Sequence, residues 1–230
     1  MKGREHSNMR LVAERHPGFG TGTKLWLLRH AEVAAEWRGR FYGDLDVPLS
    51  DEGLRVTEEL ARAFGDAGVD AVLSSPLERA LELGRAVARA SGAELEVVPD
   101  LRELSRGVWQ GRHPEEIADE MAPYYADPWS FDGHAGESDA TLAARVWPVV
   151  ERAIESRPGG TVVLATHYNV IRVIAGIALG IASPRTFALR VDPGRAVLFE
   201  DTRRGFVLRC SNVAVSMSGG TGTAAEEVGA

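Results

Sequence analysis

The stretch Leu25-Trp26-Leu27-Leu28-Arg29-His30 decides the fold, because it is an apolar strand that ends abruptly on an arginine and a histidine. A short apolar run of this kind is typical of a buried parallel strand. Open α/β sheets bind ligands beyond the carboxyl ends of such strands, where Arg29 and His30 would lie. An imidazole there can attack a phosphorus atom, and the adjacent guanidinium can hold phosphoryl oxygens. Arg15-His16 is a second such pair without a preceding strand, so the dipeptide alone is weak evidence.

Composition and charge limit the classes of protein that this chain can represent. Its 230 residues are 44% hydrophobic, which is enough for a substantial core, and its formal net charge of −7 argues against a general nucleic-acid binder. Cys210 is the only cysteine, so an intrachain disulfide is impossible and a cytoplasmic protein is favoured. The most apolar region, 162–182, is interrupted by His167, Asn169 and Arg172, so it predicts a strand, a turn and a buried helix and not a membrane span.

One domain is predicted over residues 23–214, between two tails. Residues 1–22 mix charges with glycines and are expected to be flexible, and residues 215–230 are small, glycine-rich and acidic and are expected to be disordered. The predicted strands are 24–28, 70–74, 94–98 and 161–165, followed by two or three β segments that include 196–200 and 206–210. The predicted helices are 51–67 after the cap Ser50, 76–90, a short one after Pro114, one that starts near Glu137, and 169–179.

This alternation of strands and helices favours a three-layer α/β/α sandwich with a mostly parallel central sheet. Four polar segments then follow strand ends and can meet at one edge of the sheet. They are Arg29-His30, 74–80 with Arg79, 101–111 with Glu103, and Thr166-His167-Tyr168-Asn169. Helix N-termini and arginine forks both favour phosphate, so the convergence predicts a phosphate site, although each residue alone also has an ordinary structural explanation.

Seven groups of residues, taken together and in order, carry a family resemblance. They are Leu28-Arg29-His30-Ala31-Glu32, Arg40-Phe41-Tyr42-Gly43 with Pro48-Leu49-Ser50-Asp51-Glu52-Gly53, Ser74-Ser75-Pro76-Leu77-Glu78-Arg79-Ala80, Leu101-Arg102-Glu103, Gly107-Val108-Trp109-Gln110-Gly111, Gly136-Glu137-Ser138 and Thr166-His167-Tyr168-Asn169-Val170-Ile171-Arg172. In this order the chain resembles the histidine phosphatase superfamily, which includes cofactor-dependent phosphoglycerate mutases and acid-phosphatase-like enzymes. No single segment is decisive.

The resemblance implies a phosphomonoester hydrolase that uses neither a metal nor a cofactor and acts through a phosphohistidine. His30 would be the nucleophile, and Glu103 would be the general acid for the leaving alcohol and then the base for water. His167 would stabilise charge in the transition state. The residues implied to bind the phosphoryl oxygens are Arg29, Arg40, Arg79 and Asn169. The expected partner is a small-molecule phosphate ester, with neither nucleic acid nor membrane involved, and the sequence allows a homodimer without requiring one.

Two alternatives stay open at this point. A phosphoglycerate mutase would use the same phosphohistidine, but the mutases carry a longer insertion after the acid with an adjacent arginine pair, whereas 111–136 holds only Arg112. A non-catalytic phospholigand-binding protein would find its support in Ala31 and Glu36, where the family most often has glycine and often has asparagine.

The long loop over 100–136 leaves a further question, because its aromatic residues suit two different roles. Tyr124, Tyr125, Trp129 and Phe131 could line a substrate pocket, or they could form a small core that keeps the loop folded. The sequence does not decide between these roles.

Overall fold

A computed structural model describes residues 20–215 of the chain. The Arg15-His16 pair and almost all of the two predicted tails therefore lie outside the described residues. The last part of the predicted N-terminal tail is described, and it contacts the end of a strand. There the backbone N–H groups of Gly20 and Thr21 donate to the Asp201 carboxylate, and that of Gly22 donates to the Asp201 carbonyl.

Within the described residues, a six-stranded sheet forms the middle layer. Its strands are β1 (Lys24–Arg29), β2 (Ala71–Ser74), β3 (Leu95–Val97), β4 (Thr161–Thr166), β5 (Ala196–Thr202) and β6 (Gly205–Val213). The order across the sheet is β3-β2-β4-β1-β5-β6. The first four strands of this order are parallel, while β5 and β6 pair antiparallel. The predicted mostly parallel sheet is confirmed.

Helices cover both faces of the sheet. They are α1 (Asp51–Arg62), α2 (Glu78–Ser91), α3 (Ala118–Ala126), α4 (Asp139–Glu155) and α5 (Tyr168–Leu179). Short 3₁₀ turns lie at Ala35–Trp37, Pro99–Leu101, Gly107–Trp109, Pro114–Ile117 and Ser183–Ala188. The region 162–182 forms β4 and α5, as predicted, and no helix within residues 20–215 is long and apolar enough to cross a membrane.

The three layers follow from the alternation of side chains along the central strands. Leu25 and Leu27 of β1 join a buried cluster with α4 and α5, whereas Leu28 joins a second cluster with α1 and α2. Strand β4 divides in the same way, with Leu164 in the first cluster and Ala165 in the second. Because successive residues of a strand point to opposite faces, one fully apolar strand supplies both cores.

The helix ends differ from the prediction where tertiary packing intervenes. Ser50 caps α1 as expected, with its Oγ accepting from Gly53 N at 2.9 Å, but α1 ends at Arg62 and not near residue 67. Backbone bonds of the 3₁₀ type tighten residues 63–65, and the buried Phe64 ring packs edge-on against Trp26 at 5.4 Å. The buried stripe of α1 therefore runs on to Phe64, although the α-helix itself ends at Arg62.

A third, smaller cluster lies inside the 100–136 loop and answers the question about its aromatic residues. It consists of Trp109, Ile117, Met121 and Tyr124, with Phe41, Phe131 and Phe187 packed against it. Trp129 instead packs against the main core beside α4 and α5. Phe131 and Trp129 both pack against buried clusters, and the short helix predicted after Pro114 is present as a 3₁₀ turn followed by α3.

Candidate active site

The residues at the strand ends meet because β1 and β4 are neighbours in parallel register. Arg29 pairs with Thr166 across the two strands, and His30 N donates to Thr166 O at 3.1 Å. His167 follows Thr166 directly, so the His30 and His167 rings lie side by side with centroids 5.2 Å apart. Arg79 reaches the same point from the first turn of α2.

Two hydrogen bonds define the protonation state of His30. Its Nδ1 lies 2.7 Å from the Ala31 carbonyl oxygen, which can only accept, so Nδ1 carries the ring proton. Its Nε2 receives a hydrogen bond from Arg79 Nε at 3.3 Å, which requires an unprotonated Nε2. Both contacts therefore favour the same neutral tautomer, with the lone pair on Nε2.

Electrostatics act in the same direction on His30, which is 1% exposed. Burial, together with the positive charges of Arg79 and Arg29, holds its pKa well below the ordinary value of 6.5, and the hydrogen bond to Ala31 opposes this only in part. The imidazole is consequently neutral at neutral pH, as a nucleophile must be.

Arg79 is fully buried and is held by backbone carbonyls. Its Nη1 donates to Leu45 O and its Nη2 to Gly43 O, both at 2.7 Å, and its Cζ lies 5.0 Å from the centre of the Tyr42 ring. Burial is the largest cause of its lowered pKa. These contacts fix the position of the guanidinium group without neutralising it.

Gly43 is required where it stands. Its φ is +47°, and a Cβ there would lie 2.9 Å from the backbone nitrogen of Arg106 and 3.0 Å from the Leu104 oxygen. The segment that holds Arg79 thus packs directly against the loop that follows Glu103.

Arg29 is anchored on one side and has an unused donor on the other. Its Nη1 donates to Val191 O at 2.6 Å, and its Cζ lies 5.2 Å from the centre of the Tyr168 ring. Its buried Nε has no acceptor within residues 20–215.

His167 is fully buried and is oriented by Ser75. Its Nε2 lies 2.7 Å from Ser75 Oγ, and that oxygen already accepts from Leu77 N at 3.2 Å. Ser75 can donate its hydroxyl proton to Nε2, and in that tautomer the ring proton lies on Nδ1, a nitrogen with no partner in the described part of the chain. Burial and the charge of Arg79 are the largest causes of a pKa well below 6.5. His167 is a neutral donor.

Glu103 is buried, and its carboxyl group lies beside the N-terminus of α5. Its Oε1 accepts from Leu104 N at 2.8 Å and its Oε2 from Asn169 N at 3.3 Å. The Glu103 carbonyl accepts from Arg145, which is itself paired with Glu137 at 2.7 Å. This carboxyl group is positioned from both its side chain and its backbone.

Arg40 and Asn169 line the same cavity as Arg29 and Glu103. They were predicted to bind phosphoryl oxygens, and in this structure their polar atoms bond to protein groups. Arg40 donates from Nη1 to Gly111 O at 2.7 Å and from Nε to Glu36 O at 3.1 Å. The Asn169 Oδ1 accepts from Arg106 at 3.3 Å and from Arg172 at 3.2 and 3.3 Å. Asn169 therefore orients arginines through this oxygen. The Glu36 side chain is exposed, and its backbone supports Arg40.

These residues surround a cavity of about 300 Å³. The lining residues are Arg29, Arg40, Phe41, Tyr42, Gly43, Glu103, Arg106, Tyr124, Tyr125, Tyr168, Asn169 and Phe187. His30, Arg79 and His167 lie deeper, and Tyr42 connects them to the cavity, since its ring contacts Arg79 and lies 6.4 Å from the His30 ring. Tyr124 and Tyr125 are thus pocket residues, and Tyr124 also belongs to the small core.

Arg106 is the residue that the sequence analysis missed. It is 6% exposed, and its Cζ lies 5.4 Å from the Phe41 ring centre and 4.7 Å from that of Tyr124. In the sequence, Arg106 stands directly before Gly107, inside the 101–111 segment that also contains Glu103.

The site concentrates positive charge. Within residues 20–215, none of Arg29, Arg40, Arg79 and Arg106 forms an ion pair with a carboxylate. Four such guanidinium groups around one carboxyl group form an anion site. The described residues also contain no cluster of three or more His, Cys, Asp or Glu suited to a metal ion, and the metal-independent reaction stays a prediction.

Comparison with known proteins agrees with this geometry. The sequence model of the histidine phosphatase superfamily (branch 1) matches residues 25–214. The adenosylcobalamin/alpha-ribazole phosphatase of Escherichia coli (strain K12) is 28% identical over 176 residues, 74% of this chain and 86% of that protein. Phosphoserine phosphatase 1 of Hydrogenobacter thermophilus is 28% identical over 193 residues, 81% of this chain and 90% of that protein.

A solved structure gives the same answer for the fold. The mycobacterial glucosyl-3-phosphoglycerate phosphatase superposes with a TM-score of 0.73 at 25% identity, covering 83% of this chain and 99% of that one. The chain belongs to the histidine phosphatase superfamily. The expected family, the three-layer fold and the enzyme class, a phosphatase of phosphate esters, are confirmed.

Proposed function

We propose that His30 forms a phosphohistidine during hydrolysis of a small phosphate ester, with Glu103 acting first as the acid and then as the base. The hydrogen-bonded state of His30 carries the proposal. Its Nδ1 proton is committed to Ala31, and its Nε2 lone pair faces Arg79, one of four arginines here that form no ion pair within residues 20–215. A phosphoryl oxygen that takes over the Arg79 Nε–H would leave Nε2 free to attack.

In the first step, Nε2 of His30 forms a bond to phosphorus while the bond between phosphorus and the leaving oxygen breaks. The protonated Glu103 carboxyl group gives its proton to that oxygen, so the product leaves as a neutral alcohol. Glu103 is placed for this role because it lines the same cavity as Arg29, and two backbone N–H groups fix the position of its carboxyl group.

In the second step, water attacks the phosphorus atom of the phosphohistidine. Glu103, now a carboxylate, takes the proton from water as the oxygen–phosphorus bond forms. The nitrogen–phosphorus bond breaks and its electron pair returns to Nε2, which restores neutral His30 and releases inorganic phosphate.

The arginines and His167 supply the electrostatic part of catalysis. Phosphoryl transfer spreads negative charge over the equatorial oxygens, and preorganised donors at those oxygens lower the barrier. Arg29 Nε and His167 Nδ1 are buried donors that lack acceptors among the described residues, and Arg79 is fixed by two carbonyls. These groups need little rearrangement to hold a phosphoryl group.

The cavity supports a small substrate. Its volume of about 300 Å³ lies at the lower end of the range for ligand pockets. The three relatives described above are named for three different phosphate esters, so the leaving group is a property of each chain's own cavity. The single cysteine and the negative net charge support a cytoplasmic enzyme without a nucleic-acid partner, and the homodimer stays a prediction.

The test is to trap the phosphoenzyme with p-nitrophenyl phosphate, quench in alkali and measure the mass of the intact protein. The wild type should gain one phosphoryl group. So should the control H113A, which removes a histidine that does not line the cavity. H30A should gain none and should lose roughly 10³-fold or more in kcat. Hydrolysis by H30A at the wild-type rate would contradict the proposal.

A second assay separates hydrolysis from isomerisation. Wild-type protein is incubated with 3-phosphoglycerate and a bisphosphate primer, and the products are followed by phosphorus NMR. Inorganic phosphate is expected, whereas accumulation of the isomeric phosphoglycerate would identify a mutase.

A further inference from the structure

Two polar side chains in the cavity wall lack partners that their burial demands. The Arg106 Nη1 and the Tyr124 Oη are buried, and neither has a hydrogen-bond partner within residues 20–215. Both residues line the cavity, at 6% and 2% exposure. An unpaired buried donor is unfavourable, and a charged one more so, so these atoms suit an acceptor that a ligand brings.

The surroundings of Arg106 restrict how a ligand can meet it. The guanidinium group contacts two aromatic rings, with its Cζ 5.4 Å from the Phe41 ring centre and 4.7 Å from the Tyr124 ring centre. Its Nη2 is committed to Asn169 Oδ1 at 3.3 Å. These rings limit stacking by a planar ligand, and Nη1 is the buried nitrogen of this group that has no partner within residues 20–215.

Arg106 lies on the leaving-group side of the site. Asn169 joins it to the acid, because the Asn169 N–H donates to Glu103 Oε2 while the Asn169 Oδ1 accepts from Arg106. Glu103 must meet the leaving oxygen, so a group bound by Arg106 belongs to the part of the substrate beyond that oxygen. Arg79 and His30, which would meet the phosphoryl group, have no hydrogen bond with Arg106.

We propose that Arg106 and Tyr124 bind a carboxylate on the leaving group, so that the substrate is a small phosphate ester bearing a carboxylate. This inference rests on the proposed function, because the ester is the one that His30 attacks. Two donors, Nη1–H and the phenolic O–H, match the two oxygens of one carboxylate. A second phosphate would need more donors than this pair supplies.

The test uses two pairs of esters that differ by a carboxylate. O-phosphoserine exceeds O-phosphoethanolamine by one carboxylate, and 3-phosphoglycerate carries a carboxylate where glycerol 3-phosphate carries a hydroxymethyl group. We expect the wild type to favour the carboxylate ester of each pair by roughly ten- to a hundredfold in kcat/KM. In R106M, which keeps length and loses charge, that ratio should fall at least tenfold. In Y124F it should fall severalfold.

Controls separate the possible failures. R89M removes an exposed arginine on α2 and should keep the wild-type ratio. If the wild type hydrolyses neither p-nitrophenyl phosphate nor any of the four esters, the proposed function fails. If it hydrolyses p-nitrophenyl phosphate but shows equal kcat/KM within each pair, or if R106M folds and keeps the wild-type ratio, only the carboxylate site is overturned. If R106M does not fold, Y124F, which keeps the aromatic packing, decides: an unchanged ratio overturns the site.

Discussion

Arg172 on α5 and Arg79 on α2 are both fully buried, but only Arg172 has a carboxylate partner among the described residues. Arg172 donates to both oxygens of Asp139, at 2.7 and 2.6 Å. Arg79 donates to two carbonyls and to His30, and it has no carboxylate partner among the described residues. Burial lowers the pKa of both groups, but Asp139 outweighs burial and raises the pKa of Arg172, whereas that of Arg79 stays lowered.

The difference separates an arginine with a counter-ion from the one that we propose binds the phosphoryl group. A buried charge with a counter-ion is neutral within the protein and needs nothing further. A buried charge held by neutral carbonyls is fixed in place but still attracts an anion, and the free enzyme carries that unfavourable energy until a substrate binds. Burial alone therefore says little about an arginine's role, and the presence of a carboxylate partner is the informative observation.

The largest expected effect comes from breaking the structural pair. D139N removes the counter-charge and leaves Arg172 buried and unpaired, which should lower the free energy of unfolding by about 3–5 kcal/mol. Urea denaturation measures this loss. E58A, which breaks the exposed pair between Glu58 and Arg89, is the matched control and should change the free energy by less than about 1 kcal/mol.

A double variant sharpens that result. Replacing both members of the pair, R172M with D139L, removes the uncompensated charge and should recover part of the stability lost in D139N. A double variant less stable than D139N would show that Arg172 does more than balance Asp139.

Replacing Arg79 should mainly lower activity, whereas replacing Asp139 should mainly lower stability. R79M removes a preorganised donor at the proposed phosphoryl position and should lower kcat/KM for p-nitrophenyl phosphate roughly 10²–10³-fold, which corresponds to about 3–4 kcal/mol. Its free energy of unfolding should fall much less than that of D139N, because no counter-charge is left unpaired. Equal losses of stability in the two variants would remove the distinction between the two arginines.

The smallest expected effect per residue is a dependence of stability on pH, which burial and the nearby positive charges impose on three histidines. His30 and His167 have lowered pKa values, as does His134, at about 4, so the unfolded chain binds protons at these sites before the folded chain does. Stability should therefore be complete above pH 6.5 and fall as the pH drops from there toward 4. Each histidine contributes at most about 1.4 kcal/mol per pH unit.

Denaturation at pH 7, 6 and 5 measures this slope, with H113A as the control that keeps all three buried histidines. R79M should flatten the slope, because Arg79 lowers the pKa of both His30 and His167. A stability that does not fall below pH 6.5 would contradict the neutral state of these rings.

Much of the fold was predictable because it depends on local pattern. The apolar run of β1, the cap Ser50 and the glycine that ends α2 act within a few residues, and the structure has each of them in place. Gly92 adopts φ +74°, the left-handed conformation expected after a helix. The predicted end of α1 was wrong because 3₁₀-type turns follow Arg62, and the apolar spacing that continues through Phe64 does not distinguish such turns from an α-helix.

The convergence of the four proposed catalytic and phosphate-binding residues was predictable, whereas the groups that support them were less so. His30, Arg79, Glu103 and His167 follow strand ends, so topology alone brings them together. The acceptors that hold Arg79 lie 34 and 36 residues away, and Arg172 and Asp139 are separated by 33. No local pattern reveals such a partner. Arg106 was missed for the same reason, since its role depends on rings from two other segments.

The small cluster around Trp109 and Tyr124 gives the protein a modular architecture. The strand ends that carry His30 and His167 belong to the main sheet, whereas much of the opposite wall of the cavity rests on this separate cluster. The residues of that cluster are separate from those that pack around β1 and β4, which carry His30 and His167. This separation favours changes of substrate that leave the main sheet intact. Under the proposed function, Tyr124, Tyr125 and Arg106 are the positions at which to redesign this phosphatase for a new ester.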